Sequence, residues 1–458
     1  MKLPRLLRAT LAGLFVANAP AALGAQRPDP LGHLVAEALR SNLGLEAERF
    51  AERRTAADVR AARGLFFPTL GLASRYSRLG GVPNLGDLVN PAYATLNQLT
   101  GTNRFPTDVD MTFPQRHESR LQLVQPVFNA EIFANYSAAR ARRDGQRMQL
   151  AAAARQLAAD VQLAYLQQAS AWRVVQIHEA ALALVRENER VAERLLAAGR
   201  ATPEAVHRAR AERADVEQQL AEAQERRVAA ARALNQILRR PLDAAVEVIP
   251  DSAFDLPLDV SPDSAVTRAL AAREELRQVD AGVRGAQAAG RAATAAFLPS
   301  VSLALDYGFQ GPDFAFRRSD DYWVASLVVS WNLFNGGRDA AARSAAGYEE
   351  DRARALRQDL AERIALQVRT AYEAAGVARA AIATADTRLE AARRTFELVR
   401  RRSEEGVASP IEFVDARSAY TSAQLNRALT AHRYAMRYVE LERAAALRRL
   451  DTLEETSR

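Results

Sequence analysis

The chain has no cysteine among its 458 residues. This absence excludes disulfides, cysteine-ligated zinc sites, thiol catalysis and lipidation of an N-terminal cysteine. Only five histidines are present, and no two of them have the spacing of metal ligands. Phosphate-binding glycine loops and nucleophile elbows are also missing from the sequence. The sequence therefore predicts no enzyme, no catalytic residue, no metal site and no cofactor.

Charge of one sign is present only in slight excess, with a formal net charge of +7 and a pI of about 9.9. Arginines alternate with glutamates along stretches rich in alanine, leucine and glutamine, which is the composition of long solvated helices. No nucleic-acid-binding motif accompanies the basic balance. We therefore expect no nucleic-acid partner.

Long apolar runs are scarce as well. The one at residues 11–23 follows the basic residues Lys2 and Arg8 and precedes a small-residue cleavage site at 22–25, so residues 1–25 are predicted to be a signal peptide. This run is shorter than the roughly 20 apolar residues of a spanning helix, and no later stretch reaches that length. We expect export, and a membrane role would have to rest on β-strands.

Two halves of the chain repeat the same order of motifs. FFPTLGL at 66–72 matches FLPSVSL at 297–303, with Pro68 and Pro299 231 residues apart (299 − 68 = 231). A second pair of prolines, Pro203 and Pro410, lies 207 residues apart (410 − 203 = 207). The first repeat therefore contains a longer insert, and residues 79–118, rich in glycine, proline, asparagine and threonine, are predicted to be a long loop.

These matches predict a domain order with defined bounds. The signal peptide is followed by a first repeat at 26–240, a linker at 241–264, a second repeat at 265–447 and a C-terminal tail at 448–458. Each repeat has the order helix, strand, loop, strand, long helix, turn, helix. The predicted strands are at about 68–77, 119–128, 299–310 and 321–334, and the predicted helices after them are at 130–198, 203–239, 338–405 and 410–447.

The long helices carry a heptad seam. In the second repeat, apolar residues from Ile364 to Val399 recur with alternating spacings of four and three, which is typical of coiled coils. The same register in the first repeat is interrupted by Gln168, His178 and Glu189. Because many seam positions are alanine, the helices can pack closely side by side.

Both helical pairs are predicted to end in sharp turns. Gly199 and Gly406 occupy positions where a glycine ends a helix. Pro203 and Pro410, each preceded by a threonine or serine, begin the next helix. Ser409 and Glu412 additionally have the spacing of a capping box.

The strand pattern is typical of a sheet with one apolar face. Trp323 and Trp331 lie on one face of the fourth strand, eight residues or roughly 26 Å apart, which approaches the height of the apolar band between two aromatic girdles. A soluble half-buried sheet would show the same alternation. Four strands are too few to close a barrel, so a membrane sheet requires further copies of the chain.

Taken in order and in both halves, these motifs resemble the TolC family of outer-membrane efflux proteins, over about residues 30–447. The resemblance implies a mainly α fold with a membrane β part, in which a homotrimer shares a 12-stranded barrel and a periplasmic α-barrel. It implies docking of the tips on a periplasmic adaptor and, through it, an inner-membrane pump driven by protons or ATP. It also implies contact with outer-membrane lipid of a Gram-negative bacterium, and an equatorial position for the linker.

The resemblance also implies roles for particular residues. Asp415 and Glu412 match acidic positions that line the periplasmic constriction, although a helix cap alone explains Glu412. Candidate adaptor contacts are Arg200, Glu204, Val407 and Ile411. Ser403 and Ala408 stand where the archetype has a tyrosine and an arginine of its closing latch.

Two other classes of protein remain as alternatives. A periplasmic adaptor also has a long helical hairpin, and a coiled-coil scaffold has the same heptads. Adaptors carry one hairpin rather than two, and a scaffold has no use for a signal peptide and four amphipathic strands. The exit duct of a tripartite efflux or type I secretion system is the favoured prediction.

Overall fold

The computed structural model describes residues 31–77, 84–111, 116–250, 254, 256–405 and 407–448. The predicted signal peptide lies outside the described residues, as does the predicted tail apart from residue 448. Within these ranges the chain forms helices and one antiparallel sheet. The helices are α1 (Gly32–Ser41), α2 (Leu43–Gly64), α3 (Gly86–Thr100), α4 (Ala130–Ala197), α5 (Pro203–Leu238), α6 (Pro262–Ala272), α7 (Glu274–Ala295), α8 (Arg338–Glu404) and α9 (Pro410–Ala444), and the strands are β1 (Thr69–Tyr76), β2 (His117–Phe128), β3 (Ser300–Gly311) and β4 (Asp321–Ser330).

The two longest helices, α4 and α8, have 68 and 67 residues, which corresponds to about 100 Å each. Each packs along the shorter helix that follows it, α5 or α9, in an antiparallel hairpin. The predicted heptad seam is confirmed, because every seam residue from Ile364 to Val399 is buried or half-buried. The polar interruptions in α4 are also inside, with Gln168 and His178 only 5% and 7% exposed.

The sequence predicts a single helix before the first strand of each repeat. This prediction is wrong in one respect, because the structure has two shorter helices there in each repeat. Asn42 separates α1 from α2 and caps α2 by accepting a hydrogen bond from the Leu45 amide at 3.2 Å. Arg273 separates α6 from α7. The two breaks are 231 residues apart (273 − 42 = 231), which is also the offset between Pro68 and Pro299. The two halves therefore share the position of the helix break as well as the sequence motifs.

The four strands pair in the order β1-β2-β3-β4. β1 and β4 are the edges, and each is paired on one side only within the described chain. The strand predicted to run to residue 334 ends instead at Ser330, because its partner β3 begins at Ser300, opposite Ser330. Beyond it, Gly336 and Gly337 adopt positive φ values of 69° and 83° and turn the chain into α8.

The long loop predicted at 79–118 contains a helix, which corrects that prediction. Residues 86–100 form α3 despite Pro91 in its interior, and Gly101 ends it in the left-handed conformation at φ 66°. Residues 79–83 and 112–115 of the predicted loop lie outside the described residues. The physical reason for the helix is a set of asparagine contacts with residues 105–111, which composition alone does not reveal.

The apolar core lies where the short helices and the linker cross the middle of the long ones. One cluster joins α1 to α4 and α5, and includes Leu34, Val161 and Leu234. A matching cluster joins α6 to α8 and α9. Tyr165 holds the linker by donating to the Glu247 carbonyl at 3.1 Å and accepting from the Ile249 amide at 2.7 Å.

Two predicted boundaries change around this core. The linker was predicted to run to residue 264, but α6 already begins at Pro262, after Ser261 as its cap. The last helix was predicted to reach residue 447 and ends at Ala444, followed by Ala446 at a positive φ of 50°. None of the described helices combines the length and the apolarity that crossing a membrane would require.

Candidate functional site

One face of the sheet is apolar and uncovered. Leu72, Leu121, Tyr307 and Trp323 stand side by side across the four strands. Leu72 is 77% and Trp323 75% exposed. The same face carries further exposed apolar residues: Leu70, Tyr76, Leu305, Leu327 and Val329. A continuous apolar face of this kind marks a surface that another partner or a lipid phase covers.

The second predicted girdle residue, Trp331, lies one residue after β4 rather than within it. Its indole Nε1 donates a hydrogen bond to the Phe297 carbonyl at 3.0 Å, and the residue is 58% exposed. The aromatic residue is thereby fixed at the end of the sheet that joins the helices, while Trp323 lies toward the other end.

The opposite face of the sheet is polar, and near one end it carries a charged cluster around Glu118, the second residue of β2. Arg75 and Arg120 contact its carboxylate at 3.1 and 3.7 Å, and the Tyr322 hydroxyl donates to it at 3.4 Å. Tyr322 stands opposite Gly308, whose missing side chain leaves this path open. A Cβ on Gly308 would lie 2.6 Å from a backbone oxygen of β2, so the position requires glycine.

The first helical tip has the predicted turn. Gly199 adopts φ +67°, its amide bonds the Leu196 carbonyl at 2.9 Å, and the Arg200 amide bonds the Leu195 carbonyl at 2.8 Å. This is the pattern of a helix end closed by a left-handed glycine. Pro203 is the first residue of α5. A threonine before the first turn predicts an N-cap hydroxyl at Thr202, and this prediction is wrong because the Thr202 side chain makes no capping hydrogen bond.

The second tip begins with the predicted capping box. The Ser409 hydroxyl accepts from the Glu412 amide at 3.3 Å, and the Glu412 carboxylate accepts from the Ser409 amide at 3.4 Å. Pro410 is the first residue of α9. The predicted turn glycine, Gly406, lies outside the described residues.

The candidate docking and constriction residues are all on the surface of the tips. Val407 and Ile411 are 67% and 51% exposed, which is high for apolar residues. The candidates Arg200, Glu204, Glu412 and Asp415 are also exposed. Asp415 follows Glu412 by one turn on the same face of α9. Because the capping box engages Glu412, Asp415 is the carboxylate of this pair without such a role.

The sequence prediction missed a buried ion pair between the two hairpins. Arg417 on α9 contacts Glu212 on α5 at 2.5 Å, and their side chains are 6% and 9% exposed. A pair 205 residues apart in sequence (417 − 212 = 205) leaves no local pattern.

His178 is a second polar residue inside a hairpin. Burial disfavours its charged form and lowers its pKa, and the nearby Arg226 lowers it further, while Asp215 acts in the opposite direction. Its Nδ1 has no hydrogen-bond partner among the described residues. His178 is therefore a neutral packed residue at ordinary pH.

In the described part of the chain, no three histidine, cysteine or acidic side chains are grouped so as to hold a metal ion. The site therefore consists of surfaces: a two-faced sheet at one end and two helical tips at the other.

Two tandem repeats in this arrangement define a TolC-like fold. The family model of the outer membrane efflux proteins matches residues 34–238 and 265–447, so the chain belongs to that family.

Solved structures with the same fold cover nearly the whole chain. A membrane protein from Pseudomonas aeruginosa is 20% identical, with a TM-score of 0.77, over 91% of this chain and 93% of that one. VceC from Vibrio cholerae is 19% identical, with a TM-score of 0.74, over 91% and 95%. The CmeC channel from Campylobacter jejuni is 18% identical, with a TM-score of 0.76, over 93% and 88%.

Among curated proteins, Protein CyaE from Bordetella pertussis is 32% identical over 172 residues. The matched segment is 36% of this chain and 35% of CyaE. The chain thus matches about a third of the length of this relative.

Proposed function

We propose that the protein is an outer-membrane channel that serves as the exit duct of a tripartite efflux or type I secretion system. It passes substrates from an inner-membrane pump and a periplasmic adaptor to the exterior. The observation that carries this proposal is the sheet, which has one exposed apolar face, one charged face and two edges that have no partner strand within the described chain. A soluble protein would cover both the face and the edges.

A homotrimer satisfies all three properties of the sheet. Three copies supply twelve strands, and pairing β4 of one copy with β1 of the next removes every open edge, as a lipid environment requires. The face with Leu72 and Trp323 then meets lipid, and Trp331 adds an aromatic residue at the other interface. The face with Glu118 lines the aqueous lumen, as in other membrane barrels.

The helical tips, at the opposite end of the molecule, are the proposed docking surface for the adaptor. Val407 and Ile411 form an exposed apolar spot on the second tip, and Arg200 and Glu204 are exposed charges on the first. The adaptor links this end to a pump driven by protons or by ATP. Gly199 and Pro203 shape the first tip, and Gly406 and Pro410 belong to the second.

Asp415 is the proposed lumen residue at the periplasmic constriction, with Glu412 as a secondary contributor. Three-fold symmetry would turn each into a ring of carboxylates, which favours cations. Ser403 and Ala408 cannot reproduce a tyrosine and arginine latch, so closure rests on other contacts. The Arg417–Glu212 pair holds the two hairpins of one protomer together near this end.

The proposal is tested by the assembly state of the protein expressed with its signal peptide. We expect it in the outer-membrane fraction, extractable only with detergent, with a native mass of three times the 50.1 kDa chain less three signal peptides. A monomer that stays in solution without detergent would instead indicate an adaptor or a scaffold.

A further inference from the structure

The insert between β1 and β2 is a folded unit of its own. In residues 84–111, the helix α3 is followed by a segment that returns along it. Every hydrogen bond described for this unit is internal. A Cβ on Gly86 would lie 1.8 Å from the Val109 carbonyl oxygen, which shows how closely helix and returning segment approach.

Three asparagines on one side of this unit, Asn84, Asn90 and Asn97, attach the returning segment to the helix. The side-chain amide of each asparagine makes two hydrogen bonds to backbone groups, so each asparagine holds the local backbone in a defined position. Asn84 accepts from the backbone amides of Gly86 and Met111 at 2.8 Å each. Asn90 donates to the Val109 carbonyl at 3.0 Å and accepts from the Val109 amide at 2.9 Å. Asn97 donates to the Phe105 carbonyl at 2.7 Å and accepts from the Phe105 amide at 3.0 Å. The side of α3 that bears Asn90 and Asn97 is therefore already occupied.

The opposite side of α3 is an uncovered leucine stripe. It consists of Leu85, Leu88, Leu96 and Leu99, which are 47%, 77%, 40% and 79% exposed. With Ala92 between them, the spacings are three, four, four and three, which places all of them on one helix face. Single exposed leucines are ordinary, but a stripe along four turns indicates a contact surface.

Lipid does not suit this stripe as a partner. Helices that lie on membranes carry lysine or arginine on their polar face, and α3 has neither. The charged residues of the unit are one arginine, Arg104, and three aspartates, Asp87, Asp108 and Asp110, which give it a net charge of −2 (1 − 3 = −2). A negatively charged unit is repelled by anionic headgroups.

A second copy of the chain does suit it. The unit is joined through residues 77–83 to β1, the edge strand that meets a neighbouring protomer in the proposed trimer. Asp87 lies in the first turn of α3, where the helix dipole favours it. Asp108 and Asp110 lie on the returning segment, away from the stripe. Copies can therefore approach through the stripe without bringing these carboxylates together.

The connecting segments are long enough for this approach. A barrel of twelve strands spaced about 4.8 Å and tilted by about 40° has a radius of roughly 12 Å. The seven residues 77–83 and the five residues 112–116 can span at most about 25 and 17 Å. Each α3 can thus reach the three-fold axis.

We propose that the α3 helices of three protomers pack through their leucine stripes around the three-fold axis and form a cap over the outer end of the channel. This inference rests on the proposed trimeric channel. It assigns to the insert an interface between copies of this chain, and with it a barrier at the end of the channel opposite the tips.

Cysteine cross-linking tests the cap, since the chain has no cysteine of its own. Leu88→Cys and Leu99→Cys are introduced singly, with Gln98→Cys as the control, because Gln98 is exposed but lies about 120° around the helix from the stripe. After oxidation of the assembled protein, we expect covalent dimers for the two stripe variants and monomers for the control on denaturing gels. Equal cross-linking of all three variants, or none, would overturn the cap.

Two further readouts separate the causes of failure. A native gel of the same samples reports the trimer, so trimers without cross-links discard the cap and retain the channel, whereas absence of trimers counts against the proposed function itself. A fluorophore attached to Leu99→Cys reports whether the leucine stripe lies in lipid instead. Quenching by brominated phospholipids would place the stripe in lipid and overturn the cap, and the cap predicts no quenching.

Discussion

Arg417 and Glu212 form an ion pair that joins the two repeats of the chain in a place where both side chains are buried. Neither Glu212 oxygen accepts a well-aligned hydrogen bond among the described residues, and the Arg417 Nε is also without one. The contact is thus ionic, and among the described residues Arg417 is the cation that an ion pair joins to this buried carboxylate. Removing one partner leaves an uncompensated charge in the interior.

The variant Arg417→Ala is therefore expected to be strongly destabilised, by about 3–5 kcal/mol, the usual cost of breaking a buried pair from one side. The measurement is the urea midpoint of helix unfolding in detergent, followed by circular dichroism. The matched control is Arg210→Ala, the same position in the first repeat (417 − 207 = 210), whose side chain is 52% exposed where it contacts Glu189 and Glu193. Equal shifts in the two variants would show that the Arg417–Glu212 pair is not a stabilising contact.

A pH-dependent contribution is expected from Glu37 on α1. Arg240 donates to its carboxylate from Nε at 2.7 Å and from Nη2 at 2.5 Å, and this hydrogen bonding lowers the pKa of Glu37 below its usual 4.5. A carboxyl group whose pKa is lower in the folded state stabilises the fold above its unfolded pKa and loses that effect as the pH falls through the folded value.

Glu37→Gln should consequently lower the unfolding midpoint at pH 7, and the difference from the unaltered protein should shrink at an acidic pH below 4.5, as the pH falls through the lowered pKa. Thermal unfolding at both pH values measures it. A difference that persists unchanged at the lower pH would mean that packing of the side chain, not its charge, is responsible.

The docking role of the tips predicts a loss of transport without a loss of assembly. Arginine at Val407 or Ile411 places a charge on the exposed apolar spot and should abolish efflux in cells, while trimers still form on native gels. Ser418→Arg is the control, since it lies two turns farther along the same face as Ile411 and is exposed. Trimers with normal efflux in the Val407 and Ile411 variants would remove these residues from the docking surface.

Much of this fold was accessible from the sequence because its signals are local or periodic. The seam from Ile364 to Val399 is visible as spacing, and the Ser409–Glu412 box as two residue types at a fixed distance. The break at Asn42 was not recognised, although asparagine is a strong helix cap. Its counterpart at Arg273 has no such signal, since that residue is held by tertiary contacts, including the Ala444 carbonyl at 3.0 Å.

The parts that escaped prediction depend on partners distant in sequence. The sequence predicts a loop in place of α3, because Pro91 and the asparagines are typical of loops, whereas in the structure those asparagines bind residues 105–111. Its leucine spacing and Gly101 could have revealed it. The Arg417–Glu212 pair could not be predicted, because the relative rotation of α5 and α9 is set by packing between hairpins.

Single-channel conductance in planar lipid bilayers tests the central claim most directly. The mature protein is compared with Asp415→Ala and, as a control for loss of one carboxylate, with Asp215→Ala on the first hairpin, where the side chain is also exposed. We expect discrete cation-selective openings, a clear loss of selectivity in Asp415→Ala, and no change in Asp215→Ala. Absence of openings from protein that remains soluble without detergent would contradict the assignment as a channel.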